Sequence, residues 1–178
     1  MITLKTDRLI ICSLSEDDAP FIVTLLNDPD WLRFIGDKEV RTLADARAYL
    51  VNGPLSSYER NGFGLYLVKL QVGGDPIGIC GLIKREGLEN VDIGFAFLPQ
   101  FRGQGYAFEA AQAVLHYGQT ELGLERIVAI TLPENGTSIK LLKKLGLRFE
   151  KMVKLPGDDE ACQLFVLDIS EGAGNLRQ

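Results

Sequence analysis

One segment of the sequence has the composition of an anion-binding turn. Residues 97–118 are FLPQFRGQGYAFEAAQAVLHYG, so an apolar run stops at a proline and passes an arginine and two glycines before helix-like spacing begins. Gly103 and Gly105 carry no side chain to block an approaching ligand, and they permit backbone angles that turn successive N–H groups inward. Arg102 adds a formal positive charge. The segment fits a phosphate cradle and an ordinary strand-to-helix turn equally well.

The elements on either side would place that turn at the positive end of a helix. The apolar run 91–98 is typical of a strand. Apolar residues at one-face helical spacing, among them Ala110, Ala111 and Val114, predict a helix from about residue 105 to about residue 121. The first turn of a helix has unpaired N–H groups and a partial positive charge, and both attract anions.

Two common phosphate-binding motifs do not fit this turn. A dinucleotide-binding fold needs Gly-x-Gly-x-x-Gly, but the third glycine position is Phe108. That fold also places its motif after the first strand of a parallel series, whereas this turn lies past mid-chain and follows predicted hairpins. The nucleoside-triphosphate loop needs Gly-Lys-Ser/Thr, which the sequence lacks.

The length of the chain fits one domain. It has 178 residues, and domains usually contain about 100–200 residues. We expect a single domain over residues 1–170 and a frayed tail over 171–178. Hydrophobic residues make up 46% of the chain, which is enough for a full core and excludes general disorder.

Charge and hydropathy narrow the expected partners and location. The net charge of −5 argues against nucleic-acid binding, which would need a basic face. No run reaches the roughly 18 apolar residues of a membrane span, and the N-terminus alternates like a strand rather than a signal peptide. Cys12, Cys80 and Cys162 stand apart in apolar runs, which predicts buried thiols in a reducing cytoplasm and no metal site. The sequence is compatible with a monomer or a homodimer.

Alternating patterns predict a mixed sheet with helices packed on it, an α+β fold. Strand-like runs cover residues 8–14, 63–71, 77–84, 91–98, 126–132, 147–153 and 161–169. Helices are predicted at 15–26, from Thr42 to near Gly53, in the opening segment, and from Asn135 to Gly146. The segment NDPDWLRF is interpreted as a loop carrying exposed aromatics. Gly73, Gly74, Asp75 and Pro76 predict a hairpin turn.

The chain resembles the GNAT superfamily of N-acetyltransferases. The acetyl-CoA motif of that family, Arg/Gln-x-x-Gly-x-Gly/Ala, is matched by residues 102–107 within DIGFAFLPQFRGQGYAFEAA. The ribosomal-protein N-terminal (Rim-type) acetyltransferase branch has an opening similar to TDRLIICSLSEDDA, and its second cofactor motif is similar to PENGTSIKLLKKLGLRFE. Three motifs in the family's order make the match specific over nearly the whole chain.

The resemblance implies a central, mostly antiparallel sheet of about seven strands with about four helices, splayed between 91–98 and 126–132. A splayed strand leaves backbone groups that a ligand can pair. The resemblance assigns the co-substrate acetyl-CoA as follows: the pantetheine arm to Phe95, Ala96 and Phe97, the pyrophosphate to Gly103, Gln104, Gly105, Tyr106 and Ala107 beside Arg102, and the region of the sulfur to Asn135 and Ser138. From the residues alone, Asn135 is equally well explained as a helix N-cap.

Acetyl transfer requires an uncharged amine, a polarised carbonyl and a leaving thiolate. Asp92 matches a strand position where many relatives carry a catalytic carboxylate, with a solvated strand residue as the alternative. Ser138 is the candidate proton donor to the sulfur, directly or through water. Many GNAT enzymes carry a tyrosine acid at the position of Leu142, so catalysis here is expected to depend mainly on proximity and carbonyl polarisation. Glu109 is expected to have a structural role.

The acceptor side of the site is expected in the loop that carries Trp31 and Phe34. These side chains would form an apolar wall for a peptide terminus, or they would simply pack against the core. The resemblance implies a primary amine as acceptor, with a protein N-terminus, a polyamine or a small-molecule amine as the candidates. A non-catalytic module that binds acetyl-CoA as a sensor or scaffold is the alternative function.

Overall fold

Strands form at all seven predicted places, and an eighth strand precedes them. A computed structural model describes residues 1–169, and the predicted tail at 171–178 lies outside the described residues. The strands are β1 (Thr3–Lys5), β2 (Leu9–Ser13), β3 (Leu65–Leu70), β4 (Pro76–Ile83), β5 (Asp92–Phe97), β6 (Arg126–Thr131), β7 (Arg148–Val153) and β8 (Cys162–Asp168). Strand β1 pairs antiparallel with β2, so the strand-like alternation of the N-terminus belongs to two strands instead of one.

The strands form one sheet in the order β1-β2-β3-β4-β5-β6-β8-β7. Neighbouring strands are antiparallel except β5 and β6, which run parallel. Strands β3 and β4 form the hairpin predicted from the turn at 73–76. The predicted α+β fold with a mostly antiparallel sheet is therefore confirmed, with eight strands instead of about seven.

Six α-helical segments lie among the described residues, where about four helices are predicted. They are α1 (Ala19–Leu26), α2 (Pro29–Phe34), α3 (Leu43–Leu50), α4 (Ser56–Asn61), α5 (Tyr106–Thr120) and α6 (Gly136–Lys144). Within residues 1–169, none of the helices combines the length and the apolar character needed to cross a membrane.

The segment NDPDWLRF forms helix α2, so the prediction of a loop with exposed aromatics is wrong. Asp28 caps this helix by accepting a hydrogen bond from the Trp31 amide at 3.3 Å. Pro29 takes the first helical position, where no backbone donor is needed. Trp31 is buried, with 5% of its surface exposed. The Asp-Pro pair was a helix-start signal that outweighed the turn preference of the same residues.

The second predicted helix extends beyond its expected end near Gly53. A capping box starts it, since Asp45 accepts from the Thr42 amide at 2.9 Å and donates its own amide to the Thr42 hydroxyl at 3.1 Å. A π-helical turn over Val51–Leu55 then contains Pro54 and joins α3 to α4. The wider turn accommodates a residue that has no N–H to donate, so the proline does not end the helix. The helix ends at Gly62 instead, in the left-handed conformation at φ 79°.

The sheet separates two apolar cores. Val68 and Cys80 belong to the core that contains Ala110 of α5, whereas their neighbours Leu67 and Ile79 belong to the core around α1 and α3. This division follows the two-residue alternation of side chains along β3 and β4. Helices therefore pack on both faces, and the opening of the sheet lies between the two layers.

The sheet opens between β5 and β6. These strands share one register pair, Asp92 with Val128, and the Val128 amide donates to the carbonyl of Val91 at 3.0 Å. On its other side β5 pairs with β4 from Asp92 to Phe97. The later residues of β5 have no register partner on β6, so backbone groups on that side are left for a ligand. This is the splay that the resemblance implies.

Candidate active site

A cavity of about 1130 Å³ lies at the splay. Residues of α2, β5, β6, the start of α5, α6 and the β7–β8 loop line it. Ligand pockets usually measure about 300–1,000 Å³, so this cavity is larger than the usual range. Every residue predicted for the site lines the cavity except Gln104, whose side-chain amide donates to the carbonyl of Gln100 at 2.9 Å.

The predicted phosphate cradle begins after a 3₁₀ turn at Pro99–Phe101. Gly103 and Gly105 have φ angles of 71° and 83°, so both occupy the left-handed region that favours glycine. A Cβ on Gly103 would meet nothing within 4 Å. The amides of residues 103–105 donate to no backbone carbonyl in the described part of the chain. Gly105 is the N-cap of α5 and supplies no capping side chain, so the first-turn amides of this 15-residue helix also remain free. The turn therefore fits a diphosphate.

The loop is held from outside by Arg8. Its Nη1 donates to the carbonyl of Gln104 at 2.9 Å, and its guanidinium lies 4.3 Å from the centre of the Tyr106 ring. Glu109 fixes Arg8 by accepting from its Nε at 2.7 Å and from its amide at 2.8 Å, and it accepts from the Thr6 hydroxyl at 2.6 Å. Burial raises the pKa of Glu109, but these hydrogen bonds outweigh it and hold the pKa below its ordinary value. These contacts support the structural role expected for Glu109.

Glu109→Gln is expected to lower the free energy of unfolding by about 1–2 kcal/mol, because it replaces charge-assisted hydrogen bonds with neutral ones. Since the pKa of Glu109 is lowered on folding, its contribution is present above the ordinary glutamate pKa and is lost as pH falls through the lowered value. Urea unfolding at neutral and acidic pH measures both effects. The matched control is Glu150→Gln on β7, which removes a partner of Arg126 on β6. It should change the free energy of unfolding by less than about 1 kcal/mol. If the difference in free energy of unfolding between wild type and Glu109→Gln stayed the same at low pH, this account would be contradicted.

Arg102 does not present a free charge to the cradle in this structure. Its Nη2 donates to Asp28 Oδ2 at 2.5 Å, its Nη1 to Asp30 Oδ2 at 2.6 Å, and its Nε to the carbonyl of Phe97 at 2.9 Å. Two carboxylates therefore offset one guanidinium. The positive potential of the cradle then comes from backbone amides and the α5 terminus. The predicted contact of Arg102 with acetyl-CoA stays a prediction.

Asp92 lies at the point where the two strands separate. Only 1% of its side chain is exposed, and Arg85 Nε donates to its two carboxylate oxygens at 3.1 and 3.0 Å. Burial raises the pKa of Asp92, and the charge and hydrogen bonds of Arg85 partly offset that rise. A carboxylate has about four lone-pair sites, so the contact with Arg85 leaves sites for a second partner. The alternative of a solvated strand residue does not fit this burial.

Helix α6 brings Asn135, Ser138 and Leu142 to the same cavity. Asn135 caps the helix, as predicted from the residues alone, because its side-chain oxygen accepts from the Ser138 amide at 3.2 Å. Leu142 is buried at the position where many relatives carry tyrosine. Ser138 is therefore the hydroxyl-bearing residue of the predicted set on this wall.

The predicted acceptor side of the cavity combines an apolar wall with an acidic rim. Trp31 and Phe34 of α2 both line it. The rim carries exposed carboxylates from the β4–β5 and β7–β8 loops: Glu86, Asp158, Asp159 and Glu160.

Four residues of the site were not recognised in the sequence: Asp28, Asp30, Arg85 and Tyr49. Tyr49 of α3 lines the cavity, and burial raises the pKa of its phenol while Arg85 partly offsets the rise. The pairing of Arg85 could have been found from the hairpin, because Ile83 is opposite Asp92 and Arg85 lies two residues further on the same face. No sequence signal pointed to the pairing of Arg102 with Asp28, which lies 74 residues earlier.

Comparison with known proteins is consistent across sequence and structure. Residues 8–148 match the acetyltransferase (GNAT) domain family. The uncharacterised N-acetyltransferase YnaD of Bacillus subtilis (strain 168) is 32% identical over 151 residues, which cover 85% of each chain. The structure of a GNAT-family acetyltransferase from Bacillus anthracis is 27% identical, covers 95% of this chain and 99% of its own, and superposes with a TM-score of 0.78.

A structure of RimL, a ribosomal L7/L12 alpha-N-protein acetyltransferase in complex with coenzyme A, has the same fold. It is 18% identical, with a TM-score of 0.81 over 94% of this chain and 98% of its own. The chain therefore belongs to the GNAT family of acetyltransferases. It is by class an N-acetyltransferase that uses acetyl-CoA.

Proposed function

We propose that this protein transfers the acetyl group of acetyl-CoA to a primary amine, preferably the N-terminal amine of a protein, by direct attack in a ternary complex. The observation that carries this proposal is the single cavity that joins the phosphate cradle at residues 103–105, the splayed strand β5, the buried Asp92 and the acceptor wall. A direct reaction needs both molecules in one cleft, and this cleft is larger than the usual ligand pocket.

The residues of the cradle and of β5 would hold acetyl-CoA. The amides of Gly103 to Ala107 would bind the pyrophosphate, and the backbone of Phe95 to Phe97 would pair with the pantetheine arm. When bound, acetyl-CoA supplies an activated acetyl thioester. Backbone N–H groups of β5 that lack a partner on β6 would polarise the carbonyl. Asn135 and Ser138 would lie near the sulfur.

Asp92 is the group best placed to act as general base. It is buried where β5 pairs with β6, and burial favours its protonated form. A carboxylate with a raised pKa is a better proton acceptor than a solvated one, and it would take a proton from the amine directly or through one water. The Ser138 hydroxyl forms no hydrogen bond with a described residue in the helix cap, so it would be free to donate one to the leaving sulfur. It would pass a proton from a bound water to the thiolate and keep its own hydroxyl, while the proton taken by Asp92 returns to solvent.

The acceptor side fits an extended chain that begins with a cationic amine. The apolar wall of Trp31 and Phe34 can bury a side chain, and the acidic rim attracts a positive terminus. RimL, whose name describes a protein N-terminal acetyltransferase, shares the fold. Polyamines and small-molecule amines are the competing acceptors within the same enzyme class.

Incubation of the protein with acetyl-CoA and panels of peptides, polyamines and small amines tests the proposal. We expect acceptor-dependent release of free thiol with peptides, and mass spectrometry should locate the acetyl group on the N-terminal amine. The matched control is the same lysine-containing peptides with the N-terminal amine blocked. Their lysine side-chain amine should not be acetylated. Binding of acetyl-CoA without thiol release across all panels would count against an enzyme, and faster turnover of polyamines would overturn the acceptor assignment.

A further inference from the structure

We propose that Arg102 is a positioning residue that fixes the acceptor-side helix α2 to the cofactor loop. This inference rests on the proposed function for the identity of the two sides. The family motif gives this arginine a place beside the phosphates, but the structure gives each of its three donor nitrogens a protein partner. The contacts join three parts of the site: the loop that carries Arg102, the end of β5 and the start of α2.

The inner contact is made at the helix cap. Asp28 Oδ2 accepts both from Arg102 Nη2 at 2.5 Å and from the Trp31 amide at 3.3 Å. Only 5% of the Asp28 side chain is exposed. The Arg102 side chain is 35% exposed, so water reaches its side of the pair. Removal of the guanidinium would nevertheless leave the buried Asp28 carboxylate without a compensating charge. The oxygen that starts α2 is therefore also the one that binds the loop.

The outer contact, between Arg102 and Asp30, is weaker because it is more exposed to solvent. Asp30 is 54% exposed, so its pair with Arg102 is open to water and salt. The third contact, from Nε to the Phe97 carbonyl, ties the guanidinium to the last residue of β5. Gly103 follows Arg102 directly, so the residue that begins the cradle and the residue that holds α2 are adjacent in the chain.

Helix α2 needs such an anchor because it is short. It has six residues, and helices of that length do not persist without tertiary contacts. It carries Trp31 and Phe34 into the cavity wall. The indole Nε1 of Trp31 is buried without a hydrogen-bond partner in the described part of the chain, so no hydrogen bond of its own fixes the indole. The position of the acceptor wall then depends on the cap of α2, on Arg102 and on the packing of Trp31 in the core around α1 and α3.

Fluorescence of the single tryptophan reports directly on α2, because Trp31 is the chain's only tryptophan. We expect Arg102→Gln to increase acrylamide quenching of Trp31 by at least about threefold in the ligand-free protein, because local opening exposes a side chain that is now buried. The double variant Arg102→Gln with Asp28→Asn should give the same increase. It removes the unpaired buried charge while asparagine keeps the helix cap, so folding is preserved. Asp30→Asn and the remote Glu150→Gln should change quenching by less than about 1.5-fold.

Binding and kinetics separate positioning from phosphate contact. Arg102→Gln should raise the acceptor KM about tenfold, since small misplacements of binding groups can cost up to about 10²-fold. The Kd for acetyl-CoA, from calorimetry, should change by less than about threefold, because the cradle consists of backbone amides. A tenfold or larger rise in this Kd with unchanged Trp31 quenching would overturn the proposal and make Arg102 a phosphate ligand. If the wild-type protein bound no acetyl-CoA, the proposed function would fail, while quenching of Trp31 would still decide whether Arg102 holds α2.

Discussion

Gly103→Asp is expected to abolish acetyl-CoA binding, whereas Gly103→Asn is expected to retain most of it. Asparagine and aspartate have nearly the same size, and both tolerate the left-handed backbone conformation found at φ 71° better than other side chains do. A Cβ at this position meets nothing within 4 Å, so neither variant collides with the protein. The two variants therefore differ essentially in one negative charge placed beside the proposed pyrophosphate site.

That charge should weaken binding by at least about 100-fold relative to Gly103→Asn, because like charges brought together at a binding site cost several kcal/mol. Calorimetric titration with acetyl-CoA measures the difference. Urea unfolding should show the same small loss of stability in both variants, about 1 kcal/mol, since the backbone strain is common to them. Gly105 is less suitable for this comparison because a Cβ there would lie 3.2 Å from Nη2 of Arg8. Equal affinities of the two variants for acetyl-CoA would show that the cradle does not bind phosphate.

Asp92→Asn is expected to lower kcat by about 10²–10⁴-fold, the usual contribution of a positioned general base. Acetyl-CoA affinity should not change, because Asp92 lies where β5 pairs with β6 and not at the cradle. Calorimetry on the variant therefore serves as the control for intact binding. Asparagine has nearly the same volume and can still accept from Arg85, so the ladder between β5 and β6 should persist.

The pH profile gives a second test of the same role. A general base works when it is deprotonated, so kcat/KM should rise with pH through the pKa of Asp92, which burial raises. Arg85 lowers that pKa. Its removal in Arg85→Gln should therefore move the rising limb to higher pH, and Asp92→Asn should have no such limb. A limb at the same pH in Asp92→Asn would assign the base to another group.

Much of this site could be predicted because its signals are local. The glycines at 103 and 105 mark a backbone that side chains would block, and this need is visible within a few residues of sequence. Alternation in β3 to β5 predicts the strands because their two faces pack against two different cores. The helix cap at Asn135 could be predicted for the same reason, since its capping partner Ser138 is three residues away.

The missed features depend on contacts between distant segments or on competing local preferences. The pairing of Arg102 with Asp28 needs the fold of the whole domain to bring α2 onto the loop after β5. Helix α2 was interpreted as a loop because aspartate and proline favour turns as well as helix starts, and the choice between them is made by burial of Trp31. The helix that starts at Thr42 is predicted to end near Gly53, and only the structure shows that a π-helical turn containing Pro54 continues it.

The single register pair between β5 and β6 also bears on cohesion of the molecule. It divides the sheet into an antiparallel block of five strands and another of three, so the seam between them is the least hydrogen-bonded line in the sheet. A pantetheine arm laid along β5 would replace missing rungs of that ladder. Bound acetyl-CoA would then be part of the sheet, and the free energy of unfolding would rise with the concentration of acetyl-CoA.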